Sequence, residues 1–203
     1  MPETTRALLT GQAIAWKQIL NHPFVQRTSD GSLPRATFDR WLTEDYFFVL
    51  SFRSFLEALA AVAPDEQARE VLAGGLAALA PELELFENEA AERGLDLAVE
   101  PSLLNLGYSS YLLTSVAEGW PVGITVLYAV EKAYYDAWAS VRDSTGPNTP
   151  YAGFIANWSS PDFSAYVDQL GALVDREELK DAMSRGFARV VRFELAFWDL
   201  VHG

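Results

Sequence analysis

The sequence predicts an all-α protein, one helical bundle spanning residues 1–203, on three observations. Apolar residues recur at three- and four-residue steps through long stretches, above all 35–63 and 120–138. Proline and glycine fall between such stretches, at Pro23, Pro34, Pro64, Gly94 and Pro121, where they end helices or open them. Strand-like alternation bounded by turn residues is not found. Half of the 203 residues are hydrophobic, enough for one sizeable core but short for two ordinary domains. No linker composition or internal repeat divides the chain.

The first helix is predicted over 4–20, with Leu8, Leu9, Ile14, Trp16 and Ile19 apolar, and it ends at Asn21-His22-Pro23. Phe24 and Val25 continue into a short helical turn. Asp30-Gly31 marks a loop, and Pro34 opens a long helix from Arg35 to Ala63 that is too apolar to lie on a surface. Pro64 stops it. The helix over 65–93 carries an acidic run, Glu82, Glu84, Glu87, Glu89 and Glu92, which reads as a solvated face without chemistry. Gly94 ends that helix. A fourth runs from Ser102 to Glu118, and a fifth is helical from Ile124, with Pro121 suited to its first turn. DSTGPNTP at 143–150 is a loop by composition, 151–158 a short helix, and Ser159 or Ser160 a cap for the next. A last long helix covers 176–201.

Composition narrows the function. The net charge of −13 leaves no basic footprint for nucleic acid. With no cysteine, disulfides, thiolate metal sites and a cysteine nucleophile are excluded. The N-terminus does not read as a signal peptide, and charged residues interrupt every apolar run short of a membrane span, so a soluble, cytoplasmic protein is expected.

Three acids stand inside apolar helices: Asp45, Glu131 and Glu194. Asp45 shares a helical face with Phe48 and Phe52, and Glu131 shares one with Leu127, Tyr134 and Trp138. Each has a structural reading. Asp45 would pair with Arg40 or Arg53 or lie exposed on a narrow polar stripe, Glu194 would pair with Arg189, Arg192 or a distant cation, and Glu131 with a neighbouring cation at the edge of the core. Glu131 also has a functional one, in which burial raises its pKa toward that of a proton-transferring group. Together the three suggest a polar ligand pocket between facing helices.

Five segments in order, HPFV at 22–25, DGSLP at 30–34, FDRWLTEDYFFV at 38–49, LYAVEKAYYDAW at 127–138 and FELAFWDL at 193–200, resemble the TenA/THI-4 family of thiaminase II-like proteins. The resemblance runs over nearly the whole chain. It implies a heme-oxygenase-like bundle without haem, with no metal or other cofactor. The implied activity is C–N hydrolysis of aminopyrimidine compounds in thiamin salvage, by a homo-tetramer or dimer.

By the same resemblance Asp45 anchors the pyrimidine, Phe48 packs on the ring, and Tyr108 and Tyr134 are pocket tyrosines. Glu194 handles the proton and amino group, and Trp158 stands where the family has another active-site tyrosine. Better-known members carry a nucleophilic cysteine in the fifth helix. This chain resembles instead the Glu-type branch, with Val130 or Glu131 at that place. Amino- and formylamino-pyrimidines are then the implied substrates rather than thiamin.

An alternative is a pyrimidine-binding or regulatory protein without turnover. A di-iron oxygenase of the same bundle needs Glu-x-x-His pairs. None occurs, and His22 and His202 are the sole histidines.

Overall fold

The computed structural model describes residues 4–145 and 149–203, and among them every regular element is a helix. The chain builds α1 (Thr4–Gly11), α2 (Ala13–Leu20), α3 (Pro23–Ser29), α4 (Arg35–Ala61), α5 (Glu66–Arg93), α6 (Leu103–Ala117), α7 (Trp120–Ser144), α8 (Ala152–Trp158), α9 (Pro161–Val174) and α10 (Asp181–His202).

The caps explain most boundaries. His22 Nδ1 accepts the Phe24 N–H ahead of Pro23. Asp65 caps α5 through the Ala68 N–H, Ser102 caps α6 through Asn105, and Ser160 caps α9 through Phe163, with Pro161 at the first helical position. Gly94 closes α5 in the left-handed conformation, φ 70°.

Three boundaries differ from expectation. The first predicted helix breaks at Gln12 into α1 and α2. The fifth starts at Trp120 rather than Ile124, because Gly119 (φ 103°) turns the chain and Pro121 sits within the first turn. The last starts at Asp181 rather than 176. Pro81 lies inside α5, on its exposed side. The loop expected at 143–150 falls in part on 146–148, outside the described residues.

The central helix is α7, buried continuously from Val122 to Val130 and surrounded by α3, α6, α8, α9 and α10. It packs on α10, and α4 packs against α5 and α6. Gly123 lets α7 approach Leu59 of α4, whose Cδ1 would lie 2.6 Å from any Cβ there. Where α4, α7 and α8 meet, Trp41, Trp138 and Trp158 form a triangle with ring centroids 5.2–5.8 Å apart. Trp198 of α10 stacks on Tyr134 from the other side. This aromatic mass fixes the floor on which the acids stand.

Candidate active site

A cavity of about 560 Å³ lies among α4, α5, α7, α8 and α9. That is within the roughly 300–1,000 Å³ typical of small-molecule sites. Exposed Glu70, Gly74, Ala78, Asp162, Ala165 and Gln169 place its mouth between α5 and α9. Asp45, Phe48, Glu131, Tyr134 and Trp158 all line it, drawn together from three helices.

Asp45 projects from the inward face of α4 and is 1% exposed. Its Oδ1 accepts the Tyr134 hydroxyl from α7, while Oδ2 is buried with no partner among the described residues. Burial holds its pKa well above the usual carboxylate range. The Tyr134 hydrogen bond opposes this, and the Glu82 and Glu194 carboxylates reinforce it. Neither Arg40 nor Arg53 acts on it, so the expected structural pairing is not what holds Asp45 in the core.

Glu131 keeps some accessible surface where it meets the cavity, although protein encloses it. Burial, then Glu82 and Glu194, push its pKa well up. Both Val130 and Glu131 line the cavity, so the two positions open for the fifth-helix acid reach the same space.

Glu194 lies one layer behind, off the cavity wall. Its Oε1 accepts the Tyr108 hydroxyl at 2.6 Å, and Oε2 is buried without a partner among the described residues. Burial raises it to about 8 against that hydrogen bond. Arg189 turns away to Glu118 at 3.5 Å. Tyr108, likewise off the wall, stacks on Phe193 at 4.6 Å and tilts against Phe48 at 4.9 Å. It thus links Glu194 to a ring that does line the cavity. The Glu194 charge also raises the pKa of Asp45, Glu131 and Tyr134.

The acidic run on α5 requires a correction. Glu84, Glu87 and Glu92 are exposed as expected, but Glu82 turns inward and lines the cavity. Burial raises it to about 7, against a hydrogen bond from the Trp158 Nε1–H to its Oε1 at 2.7 Å. A signal was present in the sequence. Glu82 lies three and seven residues from Leu79 and Gly75, both buried, so it shares the inward side of α5. Trp158 therefore does make a hydrogen bond, as a donor to an acid. The three carboxyls on the cavity wall, with Glu194 buried behind it, do not ionise independently, and the site as a whole retains protons at neutral pH.

The class so defined is an all-helical protein with an acidic and aromatic pocket between its helices. Residues 12–202 match the TENA/THI-4/PQQC family, and the chain belongs to it. A relative from Glycine max named "Probable bifunctional TENA-E protein" is 29% identical over 215 residues, covering 98% of this chain and 93% of its own. An aminopyrimidine aminohydrolase from Halalkalibacterium halodurans is 27% identical over 202 residues, covering 92% and 90%. Among solved structures, a TenA homologue from Pyrococcus furiosus superposes with TM-score 0.91 at 32% identity, covering 98% of this chain and 99% of its own. A domain from Shewanella denitrificans with a heme oxygenase-like fold superposes at 0.74 and 17% identity, covering 97% and 91%, which places this bundle in that fold. No helix among the described residues is long and apolar enough to cross a membrane.

Proposed function

We propose that this chain is a thiamin-salvage hydrolase that cleaves a C–N bond in amino- and formylamino-pyrimidines. The observation that carries the reading is the Asp45 carboxyl, with one oxygen held by Tyr134 and the other buried and unpaired at the wall of an aromatic cavity. An aminopyrimidine presents a ring nitrogen beside an exocyclic amine. Protonated Asp45 donates from its free oxygen to the ring nitrogen, and its carbonyl oxygen accepts from the amine. Phe48 and Trp158 enclose the ring. The names of the aminopyrimidine aminohydrolase relatives support the same substrate class.

Hydrolysis then needs a base for water and an acid for the departing nitrogen. The carboxyls supply both because their surroundings separate them. Glu82, at about 7, is partly ionised at neutral pH and takes the proton of the attacking water. Water oxygen bonds to the carbon, the C–N bond breaks, and Glu131 gives the nitrogen its proton. Glu194, at about 8, stands protonated behind Glu131 and replenishes it. An aminomethyl substrate yields the hydroxymethylpyrimidine and ammonia. A formylamino substrate yields formate and the amine.

The reading extends to a homo-oligomer, since α6 leaves Leu103 87% exposed and Leu106 and Leu113 beside it on one stripe. Light scattering measures that directly. Turnover of amino- and formylamino-pyrimidines alongside thiamin, with products identified by mass, tests the chemistry. The expected result is pyrimidine hydrolysis without release of the thiazole, and rapid thiazole release from thiamin would refute it. Calorimetric binding of the pyrimidines with no product would favour the non-catalytic alternative.

A further inference from the structure

Tyr166 of α9 lines the cavity, yet its hydroxyl is buried and has no hydrogen-bond partner among the described residues. Buried hydroxyls are normally paired, so an unpaired one at the wall of a ligand site calls for a reason. The opposite wall has been cut to fit it. Gly75, buried inside α5, sits directly against the phenol. A Cβ there would overlap the hydroxyl outright and approach Cζ to 2.9 Å. Glycine inside a helix is unfavourable in its own right, and this one opens a notch that the hydroxyl end of the Tyr166 phenol fills.

The position within the cavity is also informative. The carboxyls that act on Tyr166 are Glu131 and Glu82, whereas Asp45 feels Glu82 and Glu194. Tyr166 shares the cavity wall with Glu131 and Glu82, the two acids assigned to the departing nitrogen and the attacking water.

We infer that Tyr166, seated in the Gly75 notch, contacts the substrate and selects for an acylated substituent, its hydroxyl donating to the carbonyl oxygen of a formylamino group. This rests on the proposed function and adds a specificity to it. The hydrogen turns about the Cζ–O bond and finds in that carbonyl the acceptor the protein does not supply. As water adds to the carbonyl carbon, negative charge grows on the same oxygen and the contact strengthens. An aminomethyl substrate carries no such oxygen and gains nothing from the hydroxyl.

The test compares kcat/KM for the formylamino- and aminomethyl-pyrimidines in wild type and in Tyr166→Phe. The expected result is a loss of tenfold or more for the formylamino compound and less than threefold for the aminomethyl one. Thermal stability should hold or rise, because the substitution removes an unpaired polar atom. Gly75→Ala, which drives the phenol out of its notch, should also penalise the formylamino compound selectively. Equal losses for the two substrates, or none for either, would overturn the inference. Should wild type turn over neither compound, the proposed function fails, and calorimetry on the same pair decides the inference. Weakened binding of the formylamino compound alone in Tyr166→Phe supports it, while unchanged binding, or none in wild type, overturns it.

Discussion

Replacing Glu194 with Gln should stabilise the fold in alkaline solution while destroying its use. Below pH 4.5 the carboxyl is protonated in folded and unfolded chains alike, so it contributes no pH dependence. Above that the unfolded chain releases its proton, but the folded one keeps it until about pH 8. The unfolded state thus binds fewer protons across this window, and stability falls as pH rises through it. The interval from 4.5 to about 8, at roughly 1.4 kcal/mol per pH unit, sets a penalty of at most about 5 kcal/mol, complete above pH 8. Glutamine matches the protonated acid in shape and still accepts the Tyr108 hydroxyl. Its Nε2, lacking an acceptor where Oε2 lacks one now, costs roughly 1–3 kcal/mol at every pH. For a domain of this size 1 kcal/mol is worth about 2–4 °C. Calorimetric melts of Glu194→Gln and wild type should therefore diverge between pH 5 and pH 9 by about 10–20 °C in favour of the variant. Turnover should drop roughly 10²–10⁴-fold, the usual contribution of proton transfer. A melting difference that is the same at both pH values would show that Glu194 carries no burial-raised proton.

Asp45→Ala removes both the donor and the acceptor of the anchor, and should weaken aminopyrimidine binding by roughly 1–3 kcal/mol or more by calorimetry. Unchanged affinity would dismiss Asp45 as the anchor. The rate profile should rise through about pH 7 as Glu82 ionises and fall above about 8 as Glu194 loses its proton. A flat profile from 6 to 9 contradicts both assignments. Trp158→Phe removes the hydrogen bond that opposes the raised pKa of Glu82. The acid limb of that profile should then move to higher pH, whereas movement downward would refute the link.

Most of the fold was legible because its determinants are local. Pro34, Ser102, Gly94 and the apolar steps of 35–63 mark their helices without help from distant residues. The break at Gln12 was not legible, since nothing in LLTGQAIAW except a single glycine interrupts the periodicity. The site divided in the same way. Asp45, Glu131 and Tyr134 are conspicuous as polar groups on apolar faces. Glu82 was hidden in a run with four other glutamates, and its spacing from Leu79 and Gly75 marks the inward side only once α5 is packed against α4 and α9. Tyr166 and Gly75 lie 91 positions apart in the sequence, and their complementarity exists only where α5 and α9 meet.

The hydrogen bond from Trp158 to Glu82 also makes this pocket readable by light. An indole whose N–H ends on a carboxyl changes its emission when that carboxyl gains or loses a proton. Trp158 is in ring contact with Trp41 and Trp138, close enough for excitation to pass among the three. Much of the intrinsic fluorescence of the chain is therefore gathered beside the group that titrates near neutrality. The ultraviolet signal becomes an internal indicator dye for the state of the site, with no label attached, and its colour and yield should follow Glu82 through a pH titration or the arrival of a ligand.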